Sequence, residues 1–372
     1  MTRVALLTTS LARGGAESQI VQCAIALRRR GWETAVVSLL APAAFAGELG
    51  SAGVPVHTLE MRPGHPDPRG LVRLMGFLRV FRPQILHSHM FHANLAARVV
   101  RLFCPVPVVI STLHSVAESS RETTGVKLRD RIYRLTDPLA DLVTAVSQAV
   151  ADRHRSSGAA RTAKLRVIPN GVDTSRYRPD SARRESARRE LGLGERFIWL
   201  AAGRLLWKKD YASLLRAFAR LADGVLLIAG EGPEGDRLRH QARELGVDAR
   251  FLGMREDLPA LMNAADGCVL SSLVEGMPMV LLEAAASGLP AVATDAGGVR
   301  ECVADGETGF VVPRSDGEAL AAAMVRLALL PAGTRARMSH AARARVVERY
   351  DLETVVAEWE RTYRELLERV MR

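Results

Sequence analysis

Aromatic residues make up only 5% of the 372 positions, and there are just four cysteines. No basic cluster is interleaved with aromatic side chains, so the chain has no stacking platform for single-stranded nucleic acid, and nucleic acid is not an expected partner. Cys23, Cys104, Cys268 and Cys302 lie far apart, with neither a CxxC spacing nor histidines clustered beside them. That pattern argues against a disulfide framework or a zinc site and fits a reduced, cytoplasmic setting. No stretch reaches the roughly 18 uninterrupted apolar residues of a membrane span. Residues 1–7 turn polar too soon for a secretory leader and read as a first buried strand.

The composition is that of a soluble globular protein, 48% hydrophobic and 25% charged. A chain of this length exceeds one ordinary core, so two domains are expected. The net charge of +10 is unevenly placed: 22 Lys and Arg face 12 Asp and Glu through Ser175, against 29 of each from Arg176 onward. A basic first half can meet anionic lipid headgroups or a phosphorylated acceptor, or can simply be arginine-rich solvated surface.

Short apolar runs alternate with helical patterns, the signature of parallel α/β sheets. Strands are expected at residues 4–8, 34–39, 56–58, 85–88, 108–112, 142–145 and 166–168. Turn chemistry follows at Pro169-Asn170-Gly171-Val172-Asp173, then a polar, charged segment at 178–189. A second series is expected at 197–202, 225–229, 250–252, 267–270, 291–294 and 309–311, each but the last followed by helical periodicity. The chain thus reads as two doubly wound halves joined near residue 175. A final amphipathic helix over 352–372 carries Trp359, Tyr363 and Leu366-Leu367 on one face, suited to crossing back onto the first half.

Ligands of open α/β sheets sit beyond the C-terminal ends of the strands, so the residues just after strands carry the functional reading. The most informative are Glu275-Gly276-Met277-Pro278-Met279-Val280-Leu281-Leu282-Glu283. Pro278 suits a helix start, whose free N–H groups form an anion site. Two carboxylates beside it would repel a bare phosphate but suit a ligand bearing hydroxyls as well, such as a nucleotide-sugar.

After the first strand of the second half, Arg204 and Lys209 are spaced to converge on a diphosphate, with Lys208 a competitor for the second role. Gly14-Gly15 after the first strand either lets backbone approach a phosphate or builds a turn. His87, His89 and His92, with His114 after the next strand, lack carboxylate or cysteine companions at ligand spacing. Hydrogen bonding to a hydroxylated ligand therefore fits them better than a metal. Gly230-Glu231-Gly232-Pro233-Glu234-Gly235 is a literal GxGxxG, but Pro233 removes a donor and the two glutamates repel pyrophosphate, so it reads as a turn.

Together these residues resemble the retaining, two-domain (GT-B) glycosyltransferases of family 4. The likeness runs through Gly14-Gly15-Ala16-Glu17, Ser111-Thr112-Leu113-His114, Pro169-Asn170-Gly171-Val172-Asp173, Gly203-Arg204 with Lys209-Asp210, Phe251-Leu252-Gly253, Glu275 to Glu283 and Gly297-Gly298-Val299-Arg300-Glu301. It implies two Rossmann-like domains facing across a cleft: 1–175 with 355–372 on the acceptor side, and 176–354 binding the donor. It implies that Arg204 and Lys209 hold the donor diphosphate, with Gly15 closing over it. Glu283 would hold the ribose. Glu275 and the N–H groups around Met277, Pro278, Met279 and Val280 would contact the transferred sugar, and His114 would reach it from the other domain. Gly253 and Arg255 would wall the base, while Gly14, Glu17, His89, His92 and the segment 121–134 would face the acceptor.

The expected activity is transfer of a hexose from UDP- or GDP-sugar to a hydroxyl of a glycan or lipid-linked acceptor, without a cofactor or metal and with peripheral contact to an anionic membrane face. Alternatives are a sugar-nucleotide 2-epimerase of the same architecture and a non-catalytic nucleotide-sugar-binding scaffold.

Overall fold

The computed structural model describes residues 2–41, 44–63, 67–116 and 123–371. The chain forms two compact units, Met1–Gly171 with Leu352–Arg372, and Val172–Asp351. The crossings therefore fall at 171/172 and 351/352, a few residues before the expected 175 and 355. A side chain at Gly171 would put its Cβ 3.0 Å from the Leu352 Cα, so the two passes of the chain lie close together there and leave little room for a larger residue.

The first unit holds seven parallel strands: β1 (Arg3–Thr8), β2 (Glu33–Ser38), β3 (Val56–Thr58), β4 (Ile85–His89), β5 (Val108–Leu113), β6 (Leu142–Ala145) and β7 (Leu165–Val167). Their order is β3-β2-β1-β4-β5-β6-β7. Val4, Ala5, Leu6 and Leu7 are all buried, as for a parallel strand covered on both faces.

Right-handed crossovers place helices by the direction in which the chain moves across the sheet. Gly15–Arg29 and Ala46–Ser51 therefore cover one face, and Pro68–Phe81, Phe91–Val100, Thr123–Thr136 and Gln148–Ser156 the other. The C-terminal helix Leu352–Met371 packs beside Gly15–Arg29, burying Val355, Val356, Trp359, Tyr363 and Leu366 in the same core as Val21, Leu27 and Trp32. Trp32 Nε1 donates to Glu360 Oε1 at 2.7 Å, and Arg30 pairs with Glu353 and Glu360 at 2.6 and 2.9 Å.

The second unit holds six parallel strands: β8 (Ile198–Ala202), β9 (Val225–Ala229), β10 (Ala249–Gly253), β11 (Gly267–Leu270), β12 (Ala291–Thr294) and β13 (Gly309–Val312), in the order β10-β9-β8-β11-β12-β13.

Two expectations need correction here. The polar segment at 178–189 is not a bare connection: Ser181–Glu190 is a helix, capped by Asp180 accepting from the Arg183 N–H at 2.9 Å. Its Arg184 and Arg188 reach Asp266 at 2.6 and 3.2 Å, so charge rather than an apolar stripe seats it. The last strand is also followed by helices, Gly317–Ala328 and Ala332–Arg349. The first is rich in alanine, which blurs its period. The second buries only Met338, Ala342 and Val346 among its arginines.

Trp359 is 5% exposed and packs on His87 and Tyr363. Trp359→Ala is expected to lower stability by about 3–5 kcal/mol, read as a fall in the denaturant midpoint. A loss under about 1 kcal/mol, within the range of surface substitutions, would show that the C-terminal helix is not part of this core.

Candidate functional site

Because every strand pair is parallel, all C-terminal ends of β8 to β12 open on one edge of the second sheet. The strand order reverses beside β8, which pairs with β9 on one side and β11 on the other. The connections after β8 and β11 leave on either side of that point, where α/β sheets open a crevice.

The loop after β8 is stitched to both neighbours. On the β9 side the Gly203 N–H donates to Ala229 O at 2.9 Å and the Leu205 N–H to Glu231 O at 2.8 Å. On the β11 side Lys208 O accepts from the Leu273 N–H at 2.8 Å, and Lys209 O from Ser271 Oγ at 2.8 Å.

This stitching accounts for the GxGxxG spacing. A Cβ at Gly230 would stand 2.1 Å from Gly203 O, and one at Gly232 would stand 2.4 Å from Leu205 O. The two glycines let the β8 loop lie against backbone. The loop ends at Asp210, held in the left-handed region at φ 47°, which caps the helix Tyr211–Phe218 by accepting from the Ser213 N–H.

Held in this way, Lys209 Nζ meets Glu275 Oε1 at 2.5 Å, both largely buried at 17% and 11% exposure. Arg204, on the same loop, is exposed, and its guanidinium has no partner among the described residues. Pro278 is the N-cap of the helix Met279–Ala286, one position earlier than its expected place, and no side chain caps that end. Met277, Pro278 and Val280 are buried and Met279 is half-buried.

Glu283 lies on this helix with the Tyr177 hydroxyl beside its carboxyl. Its carboxyl is pushed up to about 7, burial outweighing the downward pull of Tyr177 and of Arg176. Gly253, at φ 68°, ends β10, and its carbonyl accepts from the Gly230 N–H at 2.7 Å. The Arg255 guanidinium closes a two-point bond with Asp257 at 2.7 and 2.6 Å.

The first unit presents its own strand-end edge. Gly14 N-caps the helix that begins at Gly15, and Glu17 is buried with its carboxylate folded back against Gly14 and accepting from Ser10 Oγ at 3.1 Å. His87 and His89 are inside β4 rather than after it, and His92 is exposed on the helix Phe91–Val100. His89 Nδ1 lies 3.0 Å from His114 Nε2, whereas His87 is engaged by Tyr363 and Thr112 at 2.7 Å each. Burial lowers all three imidazoles, His87 to about 3 and His114 to about 4, so the rings are neutral at ordinary pH. Of the segment 121–134, Arg121 and Glu122 lie outside the described residues and the rest belongs to the helix Thr123–Thr136.

Sequence reasoning missed Tyr177, which lies beside Glu283, and Ser271, which bonds the Lys209 backbone. Nothing in their local pattern distinguishes them, since their partners lie 106 and 62 residues away.

Residues 13–176 match the family model described as Glycosyltransferase Family 4, and residues 183–345 match the one described as Glycosyl transferases group 1. The chain is 33% identical over 315 residues to glycogen synthase of Mycobacterium tuberculosis, covering 81% of this chain and 73% of that protein. It is 32% identical over 382 residues to D-inositol 3-phosphate glycosyltransferase of Saccharomonospora viridis, covering 89% and 84%. Among solved structures, Anabaena Alr3699/HepE in complex with UDP and glucose superposes with a TM-score of 0.88 at 24% identity, over 98% of this chain and all of that one. The chain belongs to the group 1, family 4 glycosyltransferases and has their two-domain GT-B fold.

Glu283 supplies a pH dependence whose sign can be worked out. Its folded pKa lies above the ordinary 4.5, so the native state holds the proton more tightly than the unfolded chain. The stabilisation is complete below about 4.5 and is lost as pH rises through about 7. The melting temperature of wild type minus that of Glu283→Gln is therefore expected to fall over this range. A difference that stays flat would mean that the carboxyl titrates normally.

Proposed function

We propose that the protein is a retaining hexosyltransferase that moves a sugar from a UDP- or GDP-sugar to a hydroxyl of a glycan or lipid-linked acceptor. The observation that carries this reading is the Lys209–Glu275 pair at the sheet's switch point, with the unpartnered Arg204 on the same loop. In the reaction the acceptor oxygen bonds to the anomeric carbon as the bond from that carbon to the diphosphate breaks. The electron pair leaves with the diphosphate, which also takes the acceptor's proton.

Negative charge thus grows on the leaving group and positive character on the sugar. Arg204 and Lys209, fixed in place beforehand, stabilise the first without reorganising. Glu275 contacts the sugar, and donor binding draws Lys209 from Glu275 toward phosphate. Glu283, beside Tyr177, accepts from the ribose hydroxyls. Gly15 approaches the diphosphate through its backbone, Gly253 and Arg255 border the base, and His114 hydrogen-bonds the sugar. Gly14, Glu17 and His92 serve the acceptor side, Glu17 from a buried position.

The lipid-linked acceptor is reached at an anionic membrane surface. No single described helix is long and apolar enough to cross a membrane. The helix layer made by Pro68–Phe81, Phe91–Val100 and Thr123–Thr136 has a suitable outer face. Val72, Val80, Leu128 and Leu135 are exposed there among Arg73, Lys127 and Arg131. The one carboxylate on these three helices, Asp130, is paired with Arg153. Such a mixture of exposed apolar and cationic side chains suits headgroups and the upper acyl region.

Arg204→Ala and Lys209→Ala are each expected to cost about 2–4 kcal/mol of transition-state stabilisation, a fall of roughly 10²–10³ in turnover. Nucleotide release in the presence of a chelator would measure this. Turnover within threefold of wild type would remove the role, and activity that vanished with the chelator would remove metal independence. In low-salt flotation the protein is expected to rise with phosphatidylglycerol vesicles and to be released at high salt. Protein left at the bottom of the low-salt gradient would refute the membrane contact.

A further inference from the structure

In the first unit, His87 and His89 lie two apart on β4 and so share one face of the sheet, covered by the C-terminal helix through Trp359 and Tyr363. His87 is pinned at both ring nitrogens, Nδ1 to the Tyr363 hydroxyl and Nε2 to Thr112 Oγ1, each at 2.7 Å. Its ring lies 4.1 Å, centroid to centroid, from that of His89. His89 is 5% exposed; its Nδ1 meets His114 Nε2 at 3.0 Å, and its Nε2 is buried without a partner. Gln19 lines the same small cavity but does not bond that nitrogen. Its Oε1 accepts from the Gly171 N–H at 2.9 Å and its Nε2 donates to Cys23 Sγ at 3.0 Å.

We propose that His89 is a positioning residue: its Nδ1–H donates to His114 Nε2 and holds His114 as the Nδ1–H tautomer, so the proton His114 offers to a substrate oxygen is the one on Nδ1. Two neutral rings at hydrogen-bond distance share one proton, and there are two ways to place it. If His114 donated from Nε2, His89 would carry its own proton on Nε2, leaving a buried N–H with no acceptor. If His89 donates from Nδ1, its Nε2 is a bare lone pair. Among buried backbone groups an orphaned N–H is rarer than an under-satisfied acceptor, and the same ordering carried over to the imidazole selects the second arrangement. Burial keeps both rings neutral, which limits the pair to these two arrangements.

The functional consequence rests on the reading that His114 hydrogen-bonds the transferred sugar. His114 is then a donor toward that sugar, and the sugar must present an oxygen lone pair to it.

Nitrogen–proton correlation spectra of the imidazoles in the full chain test this directly. In wild type the His114 proton is expected on Nδ1. In His89→Asn, whose amide N–H can stand where Nδ1–H stands, it should remain there. In His89→Leu the preference should be lost. Transfer should follow: kcat/KM about tenfold lower for His89→Leu, the scale of one lost hydrogen bond, and within about threefold of wild type for His89→Asn. A His114 proton on Nε2 in wild type overturns the proposal. So does an unchanged His114 tautomer in His89→Leu, or equal losses of transfer in both variants. His114→Ala separates the two readings: if it transfers sugar normally, His114 does not contact the sugar, while the spectra still decide what His89 does.

Discussion

The parallel pairing of β8 with β9 on one side and β11 on the other is the constraint on which the site depends. Parallel strands deliver their C-terminal ends to one edge, and a reversal of strand order leaves a gap between the connections there. Lys209 and Glu275 are 66 residues apart in the chain and 2.5 Å apart in space because each follows one of two adjacent strands. Their pairing also has an electrostatic reason: a largely buried ammonium needs a counter-charge, and the carboxylate supplies one.

The cation loop is held in place mainly by backbone bonds, with Ser271 Oγ adding a side-chain bond to Lys209 O. Gly203, Leu205 and Lys208 bond to the chain on either side, and the approach is close enough that Gly230 and Gly232 can carry no Cβ. The GxGxxG spacing thus supports the loop that carries Arg204 and Lys209. The first unit uses the same topology with different contents. Its strand-end edge carries neutral imidazoles and a buried carboxylate rather than paired charges.

Much of the fold was legible in the sequence. Every strand lies within a residue or two of its expected place, because strands buried on both faces read as short apolar runs between turns. The C-terminal helix was legible from Trp359, Tyr363 and Leu366 on one face. Helices seated by other means were not: Ser181–Glu190 is fixed by Arg184 and Arg188 on Asp266, and Ala332–Arg349 buries three side chains in five turns. In the site, the residue types and their strand-end positions could be read, but not their pairings. Arg255 binding Asp257 and His89 binding His114 are facts of packing.

The sequence by itself determined that there are two doubly wound sheets, where each strand begins and ends, and which side chains follow the strands. Those properties are local: apolar run length, turn residues and helical period act over a few neighbouring positions. Only the tertiary structure decided strand order, and with it which loops become neighbours, which charges neutralise each other, and which histidines share a proton. These outcomes depend on hydrogen bonding between strands distant in the chain and on burial that no local pattern encodes.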